Sequence, residues 1–348
     1  MKRRTLLWLF CLPLLSCRTA QLQSQLSEVR SPNGLSAEAN ALWEQHVQDE
    51  TAGKKIQPAC MPRFYPANPD VPRRGMLMFF HGFTACPQQY FAISERLSAQ
   101  GFDIFLPLMP GQGREPFDGP QGVKDNFYDL PTGKDFPRYQ KFVDSMNTLA
   151  SKVPGPRVIS GLSGGAALAT GAAIYGQGIW DRILVYSPYY KNPGIQGPAS
   201  AVLDVFVPGF VNDWGPDCRV NRKRQGGRQG LCALKVDSIR AMTDYGLQVV
   251  RRMAEIKIPM QFAAVEADPT ADDGEIYRAK QKVANSHLCF YPKGVPHSLI
   301  SPATDTPEIA PYWVPSMQDD SITFITDGTW FREDGVSVEY KQPRCLSK

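Results

Sequence analysis

The sequence predicts an α/β fold, a mostly parallel central sheet with helices on both faces. Three observations point there. The chain of 348 residues is 43% hydrophobic and 21% charged, enough to bury a large core and far from a disordered or fibrous composition. Strand-like runs such as Met76-Leu77-Met78-Phe79-Phe80 and Met260-Gln261-Phe262-Ala263-Ala264-Val265 lack polar alternation, as strands covered on both faces do. Helical-period stretches separate these runs, which is the rhythm of βα units.

In chain order, Leu35 to Gln48 reads as a helix with Leu35, Ala39, Leu42 and Trp43 on one face. Met76 to Phe80 is a strand, Tyr90 to Ala99 a helix, and Phe102 to Leu106 a strand. Tyr139 to Lys152 is helical, Arg157 to Ser160 a strand, Ala166 to Ile174 a small-residue helix, and Arg182 to Tyr186 a strand. Ile239 to Ile256 is helical, Met260 to Val265 a strand, Ile276 to Ala284 a helix, and Leu288 to Tyr291 the last strand. Asn192 to Lys235 is too long and too rich in Pro and Gly for an ordinary connection, so a cap insertion is expected at about 192–240. It holds the apolar patch Val205 to Phe210 and a basic loop from Arg219 to Arg228, either a contact for anionic headgroups or a solvated loop. A C-terminal extension of about 301–348 completes a domain expected to run over 35–348.

Met1 to Ser16 has a basic start and an apolar run well short of the roughly 20 residues that span a bilayer, the pattern of a signal peptide. Leu14-Leu15-Ser16-Cys17 resembles the lipobox of bacterial lipoproteins. By that resemblance 1–16 is removed, Cys17 becomes the lipidated N-terminus, and 17–34 tethers an exported domain to a membrane; plain secretion is the alternative. Of the eight cysteines, Cys11 leaves with the signal and Cys17 carries lipid, so six remain for disulfides. Cys218 and Cys232 close a short loop and are the first expected pair, while Cys289, inside an apolar run, reads most readily as a buried thiol. No cysteine has a partner at metal-ligand spacing, so no metal is expected. Lys+Arg 38 against Asp+Glu 34 gives +4, and without Lys2, Arg3 and Arg4 the balance falls to 35 against 34. A nearly neutral chain lacks the electrostatic footprint of a nucleic-acid binder.

Gly161-Leu162-Ser163-Gly164-Gly165 lies between a strand and a helix, the context of a nucleophile elbow. A serine hydroxyl needs a base, and the chain has four histidines: His46, His81, His287 and His297. His46 falls in a helix, His81 ends an early strand and His287 enters the last strand at the wrong end. His297 follows that strand at its C-terminal end, where sites of parallel sheets form, and is the expected base. The orienting acid should follow Met260 to Val265. Asp268 is nearest the strand end, Asp272 is its rival, and Glu266 is still close enough to point sideways; Asp272 and Asp273 also fit as helix caps. Two N–H donors are needed for the oxyanion, and Gly164 and Phe83, the latter in His81-Gly82-Phe83-Thr84, are the expected pair.

These residues resemble the α/β-hydrolase superfamily, from about Pro72 to about Ile300. The resemblance rests on HGFT at 81 to 84, GLSGG at 161 to 165, Asp268, and the segment from Lys293 to His297, in the order Ser, Asp, His. Within the superfamily the chain looks like bacterial carboxylesterases and monoglyceride-lipase-like enzymes. The resemblance implies cofactor-free hydrolysis of a small-molecule or lipid ester through an acyl-enzyme on Ser163. Amide or peptide cleavage and acyl transfer are alternatives on the same residues, and an anchored, non-catalytic binding protein is a further one. Aromatic residues at Phe83, Tyr90, Phe91, Tyr189, Tyr190 and Phe206 to Phe210 suit an acyl or aromatic ester, or equally the core.

Overall fold

A computed structural model describes residues 34–115, 129–135, 137–191, 211–213, 218, 220, 227, 229–302, 310–333 and 344–346. The strands are β1 (Arg63–Tyr65), β2 (Gly75–Phe80), β3 (Phe102–Leu106), β4 (Arg157–Leu162), β5 (Arg182–Tyr186), β6 (Val211–Asp213), β7 (Ala233–Lys235), β8 (Met260–Val265), β9 (Ser286–Tyr291) and β10 (Arg344–Leu346). The helices are α1 (Ala37–Thr51), α2 (Phe91–Ala99), α3 (Pro137–Ser151), α4 (Gly164–Tyr175), α5 (Val236–Arg252), α6 (Asp273–Lys282) and α7 (Val314–Asp327). Eight strands form one sheet in the order β1-β3-β2-β4-β5-β8-β9-β10. The six inner strands run parallel, and β1 and β10 close the two edges antiparallel to β3 and β9.

Each inner strand feeds two cores at once, which is why no polar alternation shows in the sequence. On β2, Met76, Met78 and Phe80 enter one cluster with residues of α1, α3, α4, α5 and α6; Leu77 and Phe79 enter the other with residues of α2 and α7. Burial of each such side chain is worth ~1.5–3 kcal/mol, which fixes strand register as well as stability. The small residues of α4 have a packing cause. A Cβ on Gly171 would collide with the Tyr245 side chain of α5, so the two helices approach closer than larger residues permit. Gly328, at φ +77, supplies the left-handed residue that ends α7.

Five of the described strands and helices were not read from the sequence: β1, β6, β7, β10 and α7. β1 and β10 are each three residues long, and α7 lies in the stretch treated as a C-terminal extension. In α7 the side chains of Met317 and Phe324 pack on the sheet, and Ser321 accepts from the Tyr186 hydroxyl at 2.7 Å. The expected Cys218–Cys232 disulfide is present, together with Cys60–Cys86 and Cys289–Cys345. Cys289 is therefore no free thiol; its apolar surroundings bury a disulfide that ties β10 to β9. Among the described residues no helix is long and apolar enough to cross a membrane. The signal segment, Cys17 and most of the expected cap lie outside the described residues.

Candidate active site

At the end of β4 the chain must turn from strand to helix within one residue. Ser163 does so at φ 58 and ψ −122, a conformation that L side chains rarely adopt. Its N–H donates to the Tyr186 carbonyl at 2.9 Å, and its own carbonyl accepts from Ala166 and Tyr189. The flanking glycines are steric requirements. A Cβ on Gly165 would fall closer than 3.0 Å to the carbonyl oxygens of Phe80 and His81, and one on Gly161 would collide with Gly165. Ser163 occupies the N-cap position of α4 without capping it, so its side chain stays uncommitted to the helix.

The loop after β2 lies against this turn, for a Cβ on Gly164 would come within 2.8 Å of Phe83 Cβ. His81 is fully buried beneath the loop. Its Nε2 accepts from the Met109 N–H at 3.1 Å, which leaves Nδ1 to donate to the Gly82 carbonyl at 2.9 Å. Burial pushes its pKa down to about 4, so it stays neutral and holds the turn in one tautomer. Cys86, disulfide-bonded to Cys60, anchors the far side of the loop.

Asp268 and His297 leave the C-terminal ends of β8 and β9 and meet. His297 Nδ1 lies 2.6 Å from Asp268 Oδ2, while Oδ1 accepts from the N–H groups of Thr270 at 2.8 Å and Ala271 at 3.3 Å. Burial alone would raise the Asp268 pKa, but the His297 hydrogen bond and charge, with the two N–H groups, hold it below the usual carboxylate range. Nε2 of His297 is buried and has no hydrogen-bond partner among the described residues. The other carboxylates are occupied elsewhere. Asp272 caps α6 by accepting from Glu275 N–H at 2.8 Å, Asp273 accepts from Ala267 N–H at 2.7 Å, and Glu266 faces Arg344 at 3.8 Å.

The remaining histidines have structural surroundings. His46 is buried in α1 between Trp43 and Phe142, with its pKa lowered by burial to about 4. His287 bonds Gln261 Oε1 at 3.1 Å at the start of β9. His287, Cys289 and Cys345 bring ligand atoms within 4.8 Å of one another, but the disulfide occupies both sulfurs. Of the aromatic residues considered for a pocket, Tyr90 stacks on Phe79 and Tyr190 bonds Thr170, both fully buried in the core. Phe83 and Tyr189 adjoin the turn at Ser163, and Phe206 to Phe210 lie outside the described residues.

Residues 71–301 match the Hydrolase_4 family model, described as serine aminopeptidase, S33. The chain belongs to this family of α/β-hydrolases. Solved structures share the fold of this α/β-hydrolase at low identity. A metagenome-derived lipolytic enzyme from a study of two, LipS and LipT, aligns with a TM-score of 0.55 at 18% identity, covering 78% of this chain and 99% of its own. The monoacylglycerol lipase of Paleococcus ferrophilus gives 0.57 at 15%, covering 77% and 98%. A soluble variant of monoglyceride lipase from Saccharomyces cerevisiae gives 0.55 at 18%, covering 76% and 91%. No curated protein matches the sequence.

Proposed function

We propose that this α/β-hydrolase cleaves carboxylic esters through an acyl-enzyme on Ser163, with His297 as general base and Asp268 as the acid that orients it. The observation that carries this reading is the His297–Asp268 contact, with Nε2 buried and without a partner among the described residues, on the sheet edge that also bears the Ser163 turn. Asp268 fixes the proton on Nδ1, which leaves Nε2 free to accept the Ser163 proton as Oγ attacks the carbonyl carbon. The Phe83 and Gly164 N–H groups stabilise the oxyanion. Collapse expels the alcohol with the proton from His297, and water releases the acid by the same route in reverse. The monoacylglycerol and monoglyceride lipases of like fold support an ester as substrate. Export and lipidation at Cys17 form part of the same reading, on the strength of the N-terminal sequence.

The test is hydrolysis of p-nitrophenyl esters from acetate to palmitate beside a Ser163→Ala control. A Ser163-dependent rate that peaks at one chain length is expected. Absence of turnover while Ser163 still reacts with a fluorophosphonate overturns the ester reading in favour of amide cleavage or acyl transfer.

A further inference from the structure

The backbone of the loop after β2 is held on both sides of Phe83. The Gly82 N–H donates to Gln89 Oε1 at 2.7 Å and the Thr84 N–H to Gln112 Oε1 at 3.1 Å. The Gly82 carbonyl accepts from the Ala85 N–H at 2.9 Å, and the Thr84 carbonyl from the Leu231 N–H at 2.8 Å. Between the two captured donors lies the Phe83 N–H, which has no acceptor among the described residues. Both glutamines are buried, at 4% and 1% exposure. Thr84 sits at φ +67, unfavourable for a β-branched residue, so the loop keeps its shape only under restraint. Nε2 of Gln112 is buried with no hydrogen-bond partner among the described residues, so its oxygen makes the side chain's polar contact with the loop.

We infer that Gln89 and Gln112 are positioning residues for the oxyanion hole: by capturing the N–H groups on either side of Phe83, they hold its N–H, which has no acceptor among the described residues, beside the Ser163 turn. This rests on the serine-hydrolase reading, because the Phe83 N–H matters only where an oxyanion forms. The glutamines touch no reacting atom; they act through the loop.

The experiment measures covalent labelling of the full chain by a fluorophosphonate. In this reaction the bond from Ser163 Oγ to phosphorus forms, the P–F bond breaks, fluoride leaves and the hydroxyl proton passes to His297. Negative charge develops on the phosphoryl oxygen, so the oxyanion hole is read without knowledge of the natural substrate. Gln89→Met and Gln112→Met remove the acceptor at similar volume. Each is expected to lower the saturating labelling rate about 10- to 100-fold, with the half-saturating concentration little changed. Gln112→Glu, which retains an acceptor oxygen, should recover most of the loss, as a merely space-filling role would not require. Dividing each observed rate constant by the folded fraction measured for that variant keeps partial unfolding from mimicking the effect. Should a Met variant fail to fold, Gln89→Asn or Gln112→Asn, which draws the oxygen back by one methylene, carries the same comparison. Labelling of both Met variants at the wild-type saturating rate overturns the inference. A wild-type chain that takes no label, or label that survives Ser163→Ala, overturns the serine-hydrolase reading itself and the inference with it.

Discussion

The two halves of the candidate site are held in different ways. Around Ser163 the geometry is enforced by backbone sterics, with Gly161 and Gly165 placed where no Cβ fits. Around His297 it is enforced by side-chain hydrogen bonds, three of them converging on the Asp268 carboxylate. A sterically enforced turn fails as a fold when altered, whereas a hydrogen-bonded pair fails as chemistry and leaves the fold standing.

Substitutions can break or sharpen that contrast. Gly165→Ala should have the largest effect, because its methyl would overlap two carbonyl oxygens of the neighbouring strand end. A loss of about 4 kcal/mol or more is expected, seen as little folded protein or a collapsed melting temperature. A well-folded, fully active Gly165→Ala chain would remove the steric account. Asp268→Asn should instead fold normally and lose about 10⁴-fold in kcat, since the amide places the wrong group against His297 Nδ1. The same variant carries a pH test. The folded-state pKa of Asp268 lies below its unfolded value, so its contribution is complete above about pH 4 and disappears as pH falls further. Unfolding followed between pH 6 and pH 2 should show the wild type losing stability that Asp268→Asn does not lose. Asp272→Ala should be the mildest, costing about 1 kcal/mol through the lost α6 cap and leaving activity unchanged. Loss of activity in Asp272→Ala, with Asp268→Asn still active, would exchange the roles of the two residues.

The same contrast explains what was legible in the sequence. The elbow could be read because its steric demand is local: glycine is required at fixed offsets from Ser163, and the motif carries that demand with it. The inner strands could be read because burial on both faces writes a continuous apolar run, and β3, β5 and β8 coincide with the runs identified. The carboxylate that meets His297 was harder to read, since four carboxylates occur within eight residues from Glu266 to Asp273. Their separation depends on the loop's path, including Ala267 at φ 54, which no local pattern announces. β1 and β10 were missed because three-residue edge strands have no periodicity to detect, and their pairing is decided by distant partners. Gln89 and Gln112 are invisible in sequence for a related reason: a buried glutamine looks like any polar loop residue until its acceptor is seen beside a particular N–H.

The disulfide-tied β10 bears on how the chain completes itself. Cys345 follows Cys289 by 56 residues, yet β10 covers the outer flank of β9, the strand that leads to His297. During synthesis the six parallel strands can therefore exist before their border is closed. Until β10 arrives, β9 offers a bare row of N–H and C=O groups, a template on which a second molecule could add a strand. A chain cut before β10 would keep every candidate catalytic group and lose its protection against self-association.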